Sequence, residues 1–363
     1  MKKILFLSHI DWKWIKQRPQ FLAEEFSKYF ELVCISPYWY NRKKLQTRNF
    51  ETNSIKKFYN FYGLPKGKNS LLVRKLNYFF RSIFTFIICL LEKPEYIYIP
   101  SPDLYCNWMK MFFKGKVIYD CMDDYCALSP TKAIASYMEK KEQTVLQNVD
   151  EIITSSANLK NNLIQKYKHK RNNISIVRNG YSGKILDLNI QQEQTKKSSE
   201  IHIGYIGTIS SWFDIIRIKE LIRNYPNVII HIIGPIQSDS PTMDGNNIIL
   251  EGIVEHDELY EKIKNYDCLI MPFIVNEIVE SVDPVKLYEY INFAKPIISV
   301  LYGEIERFEP YVWFYDNDEI NICTAFENFL LNGIKYNNDQ RIKILKESNW
   351  KNRAEEFRKV LID

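Results

Sequence analysis

The chain has 363 residues, of which 46% are hydrophobic, 14% aromatic and 26% charged, and its formal net charge is +5. This length suits two domains of ordinary size, and the balance excludes a disordered or low-complexity polypeptide. So mild a charge, with no nucleic-acid-binding signature beside it, argues against DNA or RNA as a partner.

Met1-Lys2-Lys3 leads straight into the apolar run 4–7, which is too short for the hydrophobic core of a secretory signal and reads as a buried first strand. Similar short runs follow at 32–35, 96–99, 117–119, 151–154 and 174–177, separated by longer amphipathic segments. Between them, Lys66, Lys68, Arg74, Lys75 and Arg81 precede an uncharged stretch at 82–91. That stretch is too short to span a bilayer. It reads either as a buried helix or, because basic residues flank it, as an interfacial helix that brings 66–91 to an anionic membrane. From 186 to 200 the sequence turns polar, and the turn Arg178-Asn179-Gly180 just upstream reads as a hinge. Apolar runs then resume at 201–206, 228–233, 248–250, 268–271, 296–300 and 312–314, and 350–361 closes the chain with helical spacing.

Short continuous apolar runs alternating with amphipathic segments are the mark of buried parallel strands covered by helices. The pattern and its restart predict an α/β protein of two Rossmann-like doubly wound domains. The predicted bounds are 1–183 for the first domain, 184–200 for a linker, 201–345 for the second domain and 346–363 for a terminal helix. The seven cysteines are odd in number and without paired spacing, which reads as reduced thiols in a cytoplasmic protein; Cys121 and Cys126 have no partner pair to complete a zinc site.

The most informative stretch runs from Ser281 to Tyr290. Asp283-Pro284 predicts a helix start with Asp283 as the cap, which sets Lys286 and Glu289 on one face. A helix N-terminus beyond the carboxyl end of a strand offers free N–H groups and a positive dipole to a diphosphate. Lys286 adds charge, Glu289 accepts from ribose hydroxyls, and Ser281 and Val282 supply phosphate contacts, with Leu287 inside the same motif. The alternative is an ordinary capped helix with an internal ion pair. Gly207-Thr208, Gly234-Pro235 and Gly252-Ile253-Val254 each follow a predicted strand at the same sheet edge.

Together with Pro284–Tyr290 and Ala294-Lys295-Pro296-Ile297-Ile298, these loops resemble the nucleotide-sugar domain of family 4-type glycosyltransferases of the GT-B fold. In the first half, Trp12-Lys13-Trp14-Ile15-Lys16-Gln17-Arg18-Pro19-Gln20 and Tyr119-Asp120-Cys121-Met122-Asp123-Asp124-Tyr125 resemble a subgroup that includes bacterial teichuronic-acid and exopolysaccharide glycosyltransferases. The resemblance implies two domains facing a central cleft and a terminal helix packed back on the first domain. It implies a nucleotide-diphosphate sugar in the second domain and a glycan or lipid-linked glycan acceptor in the first. No metal and no cofactor are implied, and the setting is the cytoplasm or the inner face of the plasma membrane. Glu289 matches the second glutamate of the family's Glu, seven residues, Glu motif, whereas the first falls on Ser281, with Glu280 one residue early.

If the reaction inverts the sugar, a base must deprotonate the acceptor hydroxyl; Asp11 is the first choice, then His9 and Asp123. Trp12 and Trp14 either stack on a sugar or pin the loop, and Gln17 and Arg18 either meet the acceptor or cap a helix. Two rival functions share the scaffold: a nucleotide-sugar 2-epimerase, and a non-catalytic glycosyltransferase-like subunit.

Overall fold

The computed structural model describes every residue except 14–15, 39–52, 68, 169–173, 189, 191–198, 256–257, 317–319 and 363. The chain forms two compact units: residues 1–182 with 349–363, and residues 183–348.

In chain order the first unit runs β1 (Lys3–Leu7), α1 (Arg18–Phe26), β2 (Glu31–Pro37), β3 (Lys57–Phe61), α2 (Leu71–Glu92), β4 (Tyr96–Ile99), α3 (Trp108–Phe112), β5 (Lys116–Cys121), α4 (Lys132–Asn148), β6 (Glu151–Thr154), α5 (Ala157–Tyr167) and β7 (Ile174–Ile176). Its seven strands are ordered β3-β2-β1-β4-β5-β6-β7, and every pairing is parallel. The strand order reverses between β1 and β4, so the loops after those strands flank the crevice where doubly wound sheets bind ligands. Side-chain caps start the helices: Ser70 accepts from the Val73 N–H, Thr131 from Ile134 and Ser156 from Leu159.

The second unit runs β8 (Ile201–Ile206), α6 (Ile215–Asn224), β9 (Val228–Ile233), β10 (Ile248–Gly252), α7 (Leu259–Ile263), β11 (Cys268–Met271), α8 (Glu277–Ser281), α9 (Val285–Asn292), β12 (Ile297–Val300), β13 (Trp313–Tyr315), α10 (Ile322–Asn332) and α11 (Asn338–Glu347). Its six parallel strands are ordered β10-β9-β8-β11-β12-β13, with the reversal between β8 and β11.

The segment expected to be a free linker from 184 begins docked on the second unit. Arg341, 1% exposed, donates to the carbonyls of Asn292 and Leu186 at 2.8 Å and of Leu188 at 3.3 Å. Asn292 completes the clamp, donating to the Lys184 carbonyl and accepting from the Leu186 N–H, each at 3.0 Å. Carbonyl acceptors disperse the buried guanidinium charge, and in return they fix the backbone of 184–188.

The closing helix α12 (Trp350–Ile362) belongs to the first unit. Trp350 stacks on Phe21 at 5.0 Å, Phe357 meets Phe26 edge-on at 5.3 Å, and Trp350, Ala354, Phe357 and Leu361 join the core formed by Phe6, Leu22 and Tyr98. Gly180 makes this close approach possible, since a Cβ there would lie 2.8 Å from the Trp350 ring. Tyr181 pairs with Asn349, so the two places where the chain crosses between units lie side by side in the first unit.

Candidate functional site

In the second unit, β8 and β9 end at Gly207 and Gly234, whose φ values of +151° and +143° favour glycine. Space imposes the same choice. A Cβ on Gly234 would sit 2.1 Å from the Gly207 carbonyl oxygen, and one on Gly207 would sit 2.2 Å from Lys286 Cε and 2.8 Å from its Nζ. Two backbone turns are therefore stacked, with the Lys286 side chain lying across the upper one. Burial lowers the Lys286 pKa while Glu289 opposes the shift. The lysine stands in the first turn of α9, which carries no acidic residue, so the positive end of that helix is uncompensated there. Tyr290 fixes the helix to the sheet: its hydroxyl accepts from the Ile206 N–H at 2.9 Å.

Thr208 and Pro235 flank the stacked glycines, and the Thr208 carbonyl accepts from Tyr205 at 2.9 Å. Other expected donor contacts are used to hold the fold. Asp283 does not cap α9; Pro284 occupies that position, and the buried Asp283 carboxylate pairs with Arg307. The pairing removes the conflict between an acidic cap and bound phosphates, because the negative charge is already matched by Arg307. Ser281 is buried at the end of α8 and donates to the Ile278 carbonyl at 2.7 Å, while Glu280 is exposed beside it. The Val282 carbonyl accepts from Tyr302 at 3.3 Å, and the Leu287 side chain is wholly buried in the core. Arg307 had escaped the sequence reading because its partner lies 24 positions away.

In the first unit most of the acceptor-side candidates are engaged within the fold. Asp11 is 1% exposed and accepts from the Lys13 N–H at 3.1 Å, so it shapes the turn after β1. Trp12 is a core residue: it packs edge-on to Phe6 at 6.2 Å, its backbone N–H donates to Ser36 Oγ and its carbonyl accepts from Gln20 Nε2. Trp14 lies outside the described residues. Gln17 is the N-cap residue of α1: its N–H donates to Gln20 Oε1 at 3.2 Å and its carbonyl accepts from the Gln20 N–H at 3.1 Å. Arg18 is buried and grips Asp120 with two hydrogen bonds at 2.8 and 2.9 Å, adding a third to the Arg178 carbonyl at 3.1 Å. Asp120, wholly buried in β5, also accepts from Tyr98 at 2.6 Å. A charge inside an apolar run such as Val117–Cys121 calls for a buried partner, and that was the available signal.

What remains at the strand ends is His9 after β1 and Asp123 after β5. Burial lowers the His9 pKa to about 4, with Asp103 opposing, so the ring is neutral at physiological pH; its Nδ1 is buried without a hydrogen-bond partner. Burial pushes the Asp123 carboxyl up to about 7, with Arg18 opposing and Asp120 and Asp124 adding to the rise. Tyr125 stands edge-on to His9 at 6.2 Å. Among the described residues, no cluster of three or more His, Cys, Asp or Glu side chains is placed to hold a metal ion.

No protein-family model matches the chain. It is 25% identical over 253 residues to the protein assigned as teichuronic acid biosynthesis glycosyltransferase TuaH in Bacillus subtilis (strain 168); the match covers 65% of this chain and 64% of that relative. Among solved structures, sucrose-phosphate synthase from Thermosynechococcus elongatus superposes with a TM-score of 0.69 at 11% identity, covering 99% of this chain and 98% of that one. The Anabaena protein HepE in complex with UDP and glucose gives 0.63 at 13% identity, covering 100% of both chains. The two parallel-sheet units and these likenesses identify the architecture as the GT-B fold, with glycosyltransferases as the chain's relatives in sequence and in structure.

Proposed function

We propose that the chain is a glycosyltransferase that moves a sugar from a nucleotide-diphosphate donor to a glycan of a bacterial cell-surface polysaccharide. The observation that carries this reading is Lys286, laid across two obligatory glycines in the first turn of α9. A diphosphate bound there meets free N–H groups, the helix dipole and a desolvated ammonium together. As the sugar–oxygen bond breaks, negative charge develops on the leaving phosphate, and preorganised donors at that point lower the barrier without a metal ion. Glu289, one turn further along α9, accepts from the ribose hydroxyls. HepE, which shares the fold, binds UDP, and this supports a uridine nucleotide as the first donor to try.

The acceptor lies at the β1/β4/β5 edge of the first unit. With Asp11 enclosed, Asp123 is the carboxyl suited to take the hydroxyl proton, since a base poised near 7 combines availability with driving force. The acceptor is lipid-linked and met at the inner face of the plasma membrane. In support, α2 fully buries only Thr85, Ile88 and Glu92 of its 22 residues and exposes Leu72, Leu76, Phe79, Phe80, Ile83 and Ile87. No described helix is long and apolar enough to cross a membrane.

The test is a thermal-shift screen with UDP-, GDP-, dTDP- and CMP-linked sugars, with and without divalent metal. One donor class should stabilise the wild-type protein in the absence of metal, and Lys286→Ala should shrink the shift. Folded protein that no donor stabilises would overturn the reading.

A further inference from the structure

We propose that Arg74, Arg81 and Lys141 form an oxyanion subsite of the acceptor site, so that the sugar acceptor carries a phosphate group. The inference rests on the acceptor reading above and deepens it by naming the acceptor's charge. In a parallel sheet each covering helix starts near the carboxyl edge, so the early turns of α2 and α4 stand over the same edge as the turn after β4. That turn carries Asp103, next to the reversal of strand order between β1 and β4. Arg74 donates to the Asp103 carboxylate at 3.2 Å, Arg81 approaches the same oxygen at 3.9 Å and also donates to the Asp103 carbonyl. Arg74 reaches Met138 Sδ at 3.4 Å as well, which sets α2 against α4. From α4, Lys141 holds its ammonium 3.3 Å from the centre of the Tyr78 ring, where the Asp103 charge acts on it.

Charge and hydrogen-bonding capacity are both left over in this cluster. Three cations face one carboxylate, and among the described residues Lys141 forms neither an ion pair nor a hydrogen bond. Burial pulls the Lys141 pKa down to about 8, with Cys106 and Asp103 opposing, so at neutral pH the ammonium stays charged without a counter-ion. Arg81 Nε and the Tyr137 hydroxyl are buried without a hydrogen-bond partner, and burial raises the Tyr137 pKa, so that hydroxyl remains a donor. Desolvated cations and orphan donors held together cost stability that an anion rich in acceptor oxygens recovers. The excess of positive charge matches the dianion of a phosphate monoester better than a single carboxylate, and guanidinium forks suit its oxygens. The cluster is open to solvent on one side, since the side chains of Arg74, Arg81 and Asp103 are 20%, 18% and 15% exposed. It also adjoins the proposed base: Asp103 acts on His9 after β1, and Tyr125 stands edge-on to His9 and donates to the Pro100 carbonyl at 2.6 Å. Asp123 lies on the same loop as Tyr125, so a phosphate held by the cluster sets its sugar at the β1/β4/β5 edge.

The probe is glucose 6-phosphate, titrated calorimetrically against the full-length protein, with glucose and inorganic phosphate as its separate halves. Wild-type protein should bind glucose 6-phosphate, and each half should bind at least about tenfold more weakly. Arg81→Gln and Lys141→Gln should each weaken glucose 6-phosphate about tenfold or more with melting temperatures retained. Lys141→Gln leaves the Asp103 hydrogen bonds intact should Arg81→Gln fail to fold. Variants that bind like wild type, or glucose that binds as tightly as its phosphate, would overturn the inference. Inorganic phosphate that binds as tightly as glucose 6-phosphate would overturn it too, by making the cluster a site for a free anion and not for an acceptor. Loss of glucose 6-phosphate on Lys286→Ala, with Lys141→Gln silent, would assign its phosphate to the second unit and sink the subsite. UDP, titrated against the same proteins, separates the subsite from the reading it rests on. If UDP binds wild type and Lys141→Gln alike while glucose 6-phosphate ignores Arg81 and Lys141, the subsite falls and the donor reading stands. If wild type binds neither UDP nor glucose 6-phosphate, both fall.

Discussion

Gly207→Ala separates the roles of backbone and charge in the proposed donor site. A Cβ there meets Lys286 Cε at 2.2 Å, Nζ at 2.8 Å and the Tyr205 hydroxyl at 3.0 Å, at a backbone φ of +151°. The closest obstacle is the end of a flexible side chain, so the fold yields by swinging the lysine away. The expected stability loss is therefore only the backbone strain, about 1–2 kcal/mol. The displaced ammonium forfeits a charge-assisted hydrogen bond to phosphate worth roughly 1.5–3 kcal/mol, which weakens UDP binding by about tenfold or more. Gly234→Ala gives the opposite balance: its Cβ would lie 2.1 Å from the Gly207 carbonyl oxygen, where only backbone can move, so stability should fall by roughly 3 kcal/mol or more. Lys286→Ala should keep the fold and match the affinity loss of Gly207→Ala. Calorimetric titration of UDP and urea unfolding measure the two effects separately. Wild-type UDP affinity in either Gly207→Ala or Lys286→Ala would refute the argument.

Asp123→Asn should abolish sugar transfer yet stabilise the protein above pH 7. A carboxyl whose pKa rises from 3.8 to about 7 on folding favours the folded state at low pH, and that contribution is lost as pH climbs between those values. Thermal melts across pH 4–8 should show the wild type losing stability on the order of 2–4 kcal/mol relative to the variant. Arg18→Met leaves the Asp120 carboxylate, 0% exposed, without its bidentate partner and should cost about 3–5 kcal/mol in chemical denaturation; adding Asp120→Asn should recover much of that loss. Phe357→Ala removes a ring packed on Phe26 and Tyr98 and should cost about 3–5 kcal/mol, while UDP binding to the second unit persists.

Strands buried on both faces were legible because apolar continuity is a local property: the runs at 4–7, 96–99, 201–206 and 268–271 fall on β1, β4, β8 and β11. The edge strand β3, Lys57–Phe61, was not seen, since it pairs only with β2 and mixes Lys57 and Asn60 among its aromatics. Short helix α8 was likewise missed between β11 and α9. Glycines at strand ends were readable from position alone, but the contact of Gly207 with Lys286 spans 79 positions and needed the fold. Asp11, Trp12 and Arg18 looked like surface chemistry because polar and aromatic residues mix there. The partners of Trp12 (Ser36 and Gln20) and of Arg18 (Asp120) come from other elements, so nothing local announced their burial.

The clasp of α12 on the first unit bears on how the chain is made. Residues 183–348 leave the ribosome as a complete sheet with all its covering helices, so this unit has everything it needs while synthesis continues. Residues 1–182 have no such independence, because Trp350, Ala354, Phe357 and Leu361 fill their core and are translated after the whole of residues 183–348. The strands of this first unit must wait, partly uncovered, through the synthesis of the whole insert. Loss of α12, by nonsense mutation or proteolysis, would spare residues 183–348 and leave the first unit open to chaperones and proteases.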